Sequence, residues 1–163
     1  MEAREEFTEY AAASAKRLRD IAYLMCRDWH QAQDLTQAAL AKVYVAWPRI
    51  SRRESVDAYA RQVLLREFLS GRRRLSSTER PIAEVPERVG REDQADLRLT
   101  LLDALATLSP NQRAALVLRY WEDRSVEHVA EIMRTSPGSV KSLCFRGLQV
   151  LRAQLGTEFL ADR

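Results

Sequence analysis

The residues best suited to act on another molecule are Ser136, Ser139, Ser142, Phe145, Arg146 and Gln149, with Lys141 beside them. On a helix, their three- and four-residue spacing sets hydroxyls, an amide and a guanidinium on one side. That is a donor set for base edges and phosphates in a duplex groove. Arg146 reaches a guanine edge or a phosphate, and Lys141 a phosphate. Phe145 is the odd member. A ring on a polar face either meets an apolar target such as a thymine methyl or packs on the end of a neighbouring helix. Arg124 and Arg134 nearby either contact phosphate or are solvated.

Other chemistries have little to work with. His30 and His128 are the two histidines, and no glycine-rich phosphate loop is present, so an enzyme is not expected. Cys26 and His30 stand four apart on one predicted helix, which is metal-ligand spacing. Two ligands without a second pair do not make a site, so neither metal nor cofactor is expected. The two cysteines, far apart in helical patterns, do not form a disulfide framework. No apolar run is long enough to span a bilayer, and the opening MEAREEFTEY is acidic rather than a signal peptide. A cytoplasmic protein is expected. Its net charge of +3 leaves any polyanion binding to local patches.

The reading face needs a scaffold. Ser125 is a good N-cap, and Val126, Val129, Ala130 and Met133 repeat at helical spacing. After Arg134-Thr135, Ser136-Pro137 opens a second helix, with proline where its missing N–H costs nothing. This helix buries Val140, Leu143 or Cys144, Gly147, Leu148, Leu151 and Leu155. Upstream, Leu97 to Leu108 is amphipathic through Leu97, Leu101, Leu105 and Leu108. Ser109-Pro110-Asn111-Gln112 is a capping box opening a helix to Trp121 that packs behind the reader. Together these make a four-helix bundle ending in a helix-turn-helix, with the last helix N-terminus favouring a phosphate.

The first half is helical from Phe7 to about Arg74, interrupted at residues 47–53. Asp34 to Trp47 is amphipathic: Leu35, Ala39 or Leu40, Val43 and Trp47 face inward, leaving Asp34, Gln37, Ala38 and Ala41 outward. A further helix starts near Ser55, capped by that serine, and carries Tyr59, Arg61, Gln62 and Arg66 before Arg72-Arg73-Arg74. Interleaved aromatic and basic groups suit single-stranded DNA, although Tyr59 at this spacing also suits a core. The Ser51-Arg52-Arg53 loop either houses an extruded base or is a charged surface loop. Between the halves, Ser76 to Gln94 holds Pro81, Pro86 and Gly90, and five acidic residues against three arginines. It reads as a solvated linker or as a nucleic-acid mimic lying in a basic channel. Each half alone is marginal in size for a stable core, so docking on a large partner would stabilise both.

Several stretches together resemble the extracytoplasmic-function (group IV) sigma factors, and look closest to an actinobacterial, sigma-E-like branch. They are Asp34 to Trp47, Asp57 to Arg61, Arg72 to Arg74, Leu105 to Arg113, Val117 to Asp123 and Ser136 to Ser142. The resemblance implies an all-α fold of two small helical bundles joined by a flexible linker. Residues 1–75 would be sigma domain 2, 76–95 an acidic linker and 96–163 sigma domain 4. It implies a subunit that binds RNA polymerase core and directs initiation at −10 and −35 promoter elements. Asp34, Gln37, Ala38 and Ala41 would meet the clamp of the polymerase largest subunit, and the flap of the second-largest subunit is a further implied contact. Ser51, Arg52, Arg53, Tyr59, Arg61, Gln62, Arg66, Arg72 and Arg73 would hold the opened −10 strand. Arg134, Ser136, Ser139, Lys141, Ser142, Phe145, Arg146 and Gln149 would read −35 duplex. An anti-sigma factor stays open as a further partner.

The chain departs from the family pattern at Arg66, Glu67, Ala38, Arg134 and the Leu143-Cys144-Phe145 run. Glu67 falls near the apolar stripe and calls for an arginine partner. The rival reading is a free-standing helix-turn-helix regulator that binds duplex DNA without polymerase. It would need a receiver or ligand pocket in the first half, where no phosphoacceptor-bearing strand pattern exists.

Overall fold

The computed structural model describes residues 2–50, 53–75 and 101–156, with side chains in the middle segment described for 56–71. Among the described residues the chain is helical without strands. The helices are α1 (Glu2–Cys26), α2 (Trp29–Ala46), α3 (Arg53–Leu75), α4 (through 101–107), α5 (Pro110–Leu116), α6 (Val126–Met133) and α7 (Pro137–Leu155). A short 3-10 turn, Trp47–Arg49, follows α2, and a π turn, Val117–Trp121, continues α5.

Helices α1 and α2 are separate, split where Arg27 takes a left-handed φ of 61°. Asp28 then caps α2, its carboxylate accepting from the amides of His30 and Gln31 at 2.9 and 3.1 Å. Cys26 and His30 therefore lie on different helices, contrary to the single helix expected from their spacing. Among the described residues no group of three or more candidate ligands is assembled. Asp34 sits inside α2 rather than near its start. Ser55 lies inside α3, which begins at Arg53, so it is not that helix's cap.

The caps read from sequence in the second half are present. Ser125 accepts from His128 N at 3.1 Å, Ser136 from Ser139 N at 3.1 Å, and Ser109 with Gln112 forms the reciprocal box. Helix α6 ends in the left-handed Arg134, φ 55°, and Thr135 N donates back to Ala130 O at 2.9 Å. The stripe of α4 is Leu102, Ala104, Leu105 and Leu108; Leu101 is exposed, and Leu97 lies outside the described residues. Linker 76–95 also lies outside them.

The first core gathers Leu18, Ile21, Ala22, Met25, Leu35, Ala39, Val43, Val63, Leu64 and Phe68 from α1 to α3. The second gathers Leu105, Leu108, Ala115, Leu116, Val129, Ile132, Val140, Cys144 and Leu151. Cys144, not Leu143, takes the inward position on α7. Each core borrows from the other half: Ala114 and Val117 belong to the first, Ala58 to the second. The two halves pack on each other directly. That contact removes apolar surface which neither small bundle would bury alone, the marginality expected from their size.

Candidate nucleic-acid and polymerase interface

Helix α7 is set by a close approach to α5. At Gly147 a β-carbon would stand 2.7 Å from Leu116 Cδ1, so only glycine fits without moving a buried leucine. With Val140, Cys144, Gly147 and Leu151 turned inward, the other side is free. Ser136, Lys141, Ser142, Phe145, Arg146 and Gln149 are all exposed; Ser139 is half-buried. Phe145 is 61% exposed, so it does not pack on a neighbouring helix. Ser139 spends its amide on the Ser136 cap, and the two hydroxyls lie 3.1 Å apart. Arg134 is exposed at the turn itself. The arrangement presents hydroxyls, cations, an amide and one ring on a convex helix, which matches a groove of base edges flanked by phosphate.

The helix expected to pack behind the reader buries Ala115, Leu116 and Leu118, but Tyr120 and Trp121 at its end are each 57% exposed. The π turn explains this. Glu122 N bonds to Val117 O at 3.0 Å, one residue further back than in an α-helix, and the added residue rotates the chain beyond it. Val117, Leu118 and Glu122 turn inward as a result.

On α2 the expected outward face is present: Asp34, Gln37 and Ala41 are exposed and Ala38 is half-buried. Tyr44 and Val45 extend it as exposed apolar groups, at 49% and 73%. Phe7 of α1 braces its end, edge-on to Tyr44 at 5.0 Å and to Trp47 at 5.5 Å between ring centres. Sequence reasoning passed over Tyr44 and Val45; an apolar pair opposite the Leu35–Val43 stripe was the available signal.

The α3 group does not form one open surface. Arg66 is exposed, Tyr59 is half-buried against the first core, and Gln62 donates to Glu131 O of α6 at 3.0 Å. Arg61 is buried, paired with Glu122. Its expected place on a DNA-facing surface is therefore corrected: in this arrangement it points into the junction between halves. Ser51 and Arg52 lie outside the described residues, as do the side chains of Arg53, Arg72 and Arg73. Glu67 has its basic partner, but it is Lys42 of α2 rather than an arginine.

Glu122 pairs with three arginines. Its side chain is fully enclosed, and meets Arg61, Arg17 Nε at 2.5 Å and Arg124 Nε at 3.3 Å. Burial pushes its carboxyl upward, but hydrogen bonds from Arg61 and Arg17 outweigh that and hold it below the usual carboxylate range. Arg124 Nη1 also lies 3.1 Å from His128 Nδ1. A second buried cation, Arg113, donates to the carbonyls of Leu105 at 2.8 Å, Leu108 at 3.0 Å, Ala106 at 3.1 Å and Met25. Nothing in the local pattern marked either residue.

Two family models match the chain. Sigma-70 region 2 covers residues 11–78 and sigma-70 region 4 covers residues 98–151. The chain is 37% identical over 153 residues to the RNA polymerase sigma-E factor of Streptomyces coelicolor, covering 92% of this chain and 86% of that one. It is 40% identical over 135 residues to the sigma-E factor of Streptomyces antibioticus, covering 81% and 74%. Among solved structures it resembles the sigma factor RpoE of Bartonella quintana, crystallised with the anti-sigma factor NepR. That likeness has a TM-score of 0.76 and 25% identity, over 94% of this chain and 98% of that one.

Proposed function

This chain belongs to the sigma-70 family, in its extracytoplasmic-function, sigma-E-like branch, and from that premise we propose how its surfaces divide the work of promoter recognition. It is an RNA polymerase sigma factor. In our reading residues 1–75 and 96–163 are the two working halves, joined by 76–95. The outward face of α2, through Asp34, Gln37, Ala38 and Ala41, docks on the clamp of the polymerase largest subunit, with Tyr44 and Val45 adding apolar area. The second half meets the flap of the second-largest subunit.

Helix α7 reads the −35 duplex through Arg134, Ser136, Ser139, Lys141, Ser142, Phe145, Arg146 and Gln149. Charged groups there fix register on phosphates, while Arg146 and Phe145 supply discrimination at base edges. Ser51, Arg52 and Arg53, with the α3 residues Tyr59, Gln62, Arg66, Arg72 and Arg73, hold the opened −10 strand. Stacking and phosphate contacts there offset part of the melting cost. The chemistry of RNA synthesis is the polymerase's own, so no catalytic residue and no cofactor is assigned. In this reading the protein works in the cytoplasm, beside the polymerase. Among the described residues no helix is long and apolar enough to cross a membrane. An anti-sigma factor is a fitting regulator, since the solved relative was captured with one.

The observation that carries this reading is the free polar face of α7, held by buried Cys144 and Gly147 in a chain whose regions 2 and 4 both match. The test is reconstitution with bacterial core polymerase on genomic fragments, mapping transcript starts. Shared −10 and −35 sequences upstream of the starts are expected. Duplex binding by the free chain with no new starts would favour a regulator acting without polymerase.

A further inference from the structure

Helix α2 carries an exposed row that the docking face uses only in part. Trp29, Gln33, Gln37, Ala41 and Val45 recur every fourth residue, and all are exposed. The row runs about 24 Å, at a rise of about 1.5 Å per residue. None of its members is charged. The neighbouring row, His30, Asp34, Ala38 and Lys42, holds the ionisable groups.

The amino-terminal end of the uncharged row is firmly built. Trp29 lies flat on Tyr23 of α1, with ring centres 3.9 Å apart and planes 7° from parallel. Arg19, one turn earlier on α1, brings its guanidinium carbon to 5.4 Å from the indole centre. These contacts fix the indole, yet Trp29 remains 47% exposed. A large ring already held in one orientation loses little side-chain freedom on binding, which is what an anchor needs. The far end of the row has its own brace, where Phe7 supports Tyr44 beside Val45.

Resting on the sigma-factor reading, we propose that this uncharged row is the centre of the contact with core polymerase and that Trp29, outside the set drawn from family resemblance, is its anchor. Gln37 and Ala41 already belong to the docking face. The row continues that face without a break to the corner between α1 and α2. Interface centres are poor in charge and rich in aromatic anchors, with polar and charged groups at the rim. The row and its neighbour divide in that way. A ridge of side chains four apart fits the groove between like ridges on a facing helix, so the occupant is a helical, uncharged groove of the polymerase clamp.

The test is the affinity of the full chain for core polymerase, measured by competition with labelled parent. Trp29→Ala should bind about 5- to 30-fold more weakly, and Trp29→Phe should recover part of the loss. Gln33→Glu and Gln33→Lys should both weaken binding, because either charge would be stripped of water in an uncharged groove. In the parent, core should protect Trp29 from oxidation by N-bromosuccinimide, read by peptide mass spectrometry. Unchanged core affinity in Trp29→Ala, or Trp29 oxidised as fast in the complex as in the free chain, would overturn the anchor. Opposite effects of the two Gln33 charges would place the row at the rim and overturn its central role. A parent dimer broken by Trp29→Ala, with core affinity unchanged, would assign the row to a second copy of the chain and overturn the proposal. Should Trp29→Ala lose helicity, the Gln33 pair and the oxidation of the parent decide. A parent that never binds core would refute the sigma-factor reading itself, a result distinct from a parent and variants that bind core equally.

Discussion

Arg113→Met tests whether a buried guanidinium caps two helices at once. Its planar fork reaches Leu105, Ala106 and Leu108 at the end of α4, and Met25 in the last turn of α1. Helix C-terminal carbonyls lack main-chain donors, and a cation there also meets the negative end of each dipole. Methionine keeps the apolar stem, which lies over the Phe68 ring, and removes the donors. Leu105 O still accepts from Leu108 N, and Ala106 is exposed, so two buried carbonyls, Met25 and Leu108, lose their partner. At about 1–3 kcal/mol each, the loss is about 4 kcal/mol. Unfolding entropy of about 2.1 cal/mol/K per residue makes 1 kcal/mol about 3 °C for this chain. Thermal melts followed by circular dichroism should therefore fall by about 12 °C. Arg113→Lys, with charge but no fork, should fall between. A drop below about 4 °C for Arg113→Met would refute the capping argument.

Arg146→Ala should weaken −35 binding by about 5- to 150-fold while core affinity stays as in the parent, as read by fluorescence anisotropy on duplex fragments. Equal binding would remove Arg146 from the reading set. Asp34→Lys should lower core affinity by about tenfold, chiefly through the association rate and more strongly at low salt. An unchanged pull-down would move the docking contact elsewhere. Tyr10 is buried, with Asp57 3.4 Å from its hydroxyl, and its pKa is pushed up from 10.0 to about 12, first by burial and then by that carboxylate. Because the folded value is the higher one, its contribution is complete below pH 10.0 and is lost as pH rises toward about 12. Phenolate absorbance should show a late ionisation, and Tyr10→Phe should abolish that step.

Much of the second half was legible because its signals are local. A serine three residues before the amide it caps, or an apolar residue every third or fourth position, is visible in a short window. Hence Ser109, Ser125 and Ser136 were read as caps and α7 was given the correct inward and outward sides. The misses share a cause. Arg27 stops α1 in a left-handed conformation that usually calls for glycine or asparagine, so the α1–α2 break went unread. The π turn after α5 adds one residue to a helical turn, which a fixed 3.6 period cannot detect. A regular helix was read on to Trp121 for that reason.

Residue types, caps and periodicity by themselves determined the helices of the second half and the outward side of α7, and the resemblance of the motif stretches gave the family. Which charges meet was decided by the tertiary structure alone. Arg61 and Glu122 are 61 positions apart, and Arg113 and Met25 are 88 apart. Nothing in either neighbourhood prefers burial, because a charged side chain is enclosed only when a distant partner arrives to offset its desolvation. Arg61 read in isolation is therefore a surface cation for DNA, and in the folded chain it is one side of the contact that closes the two halves.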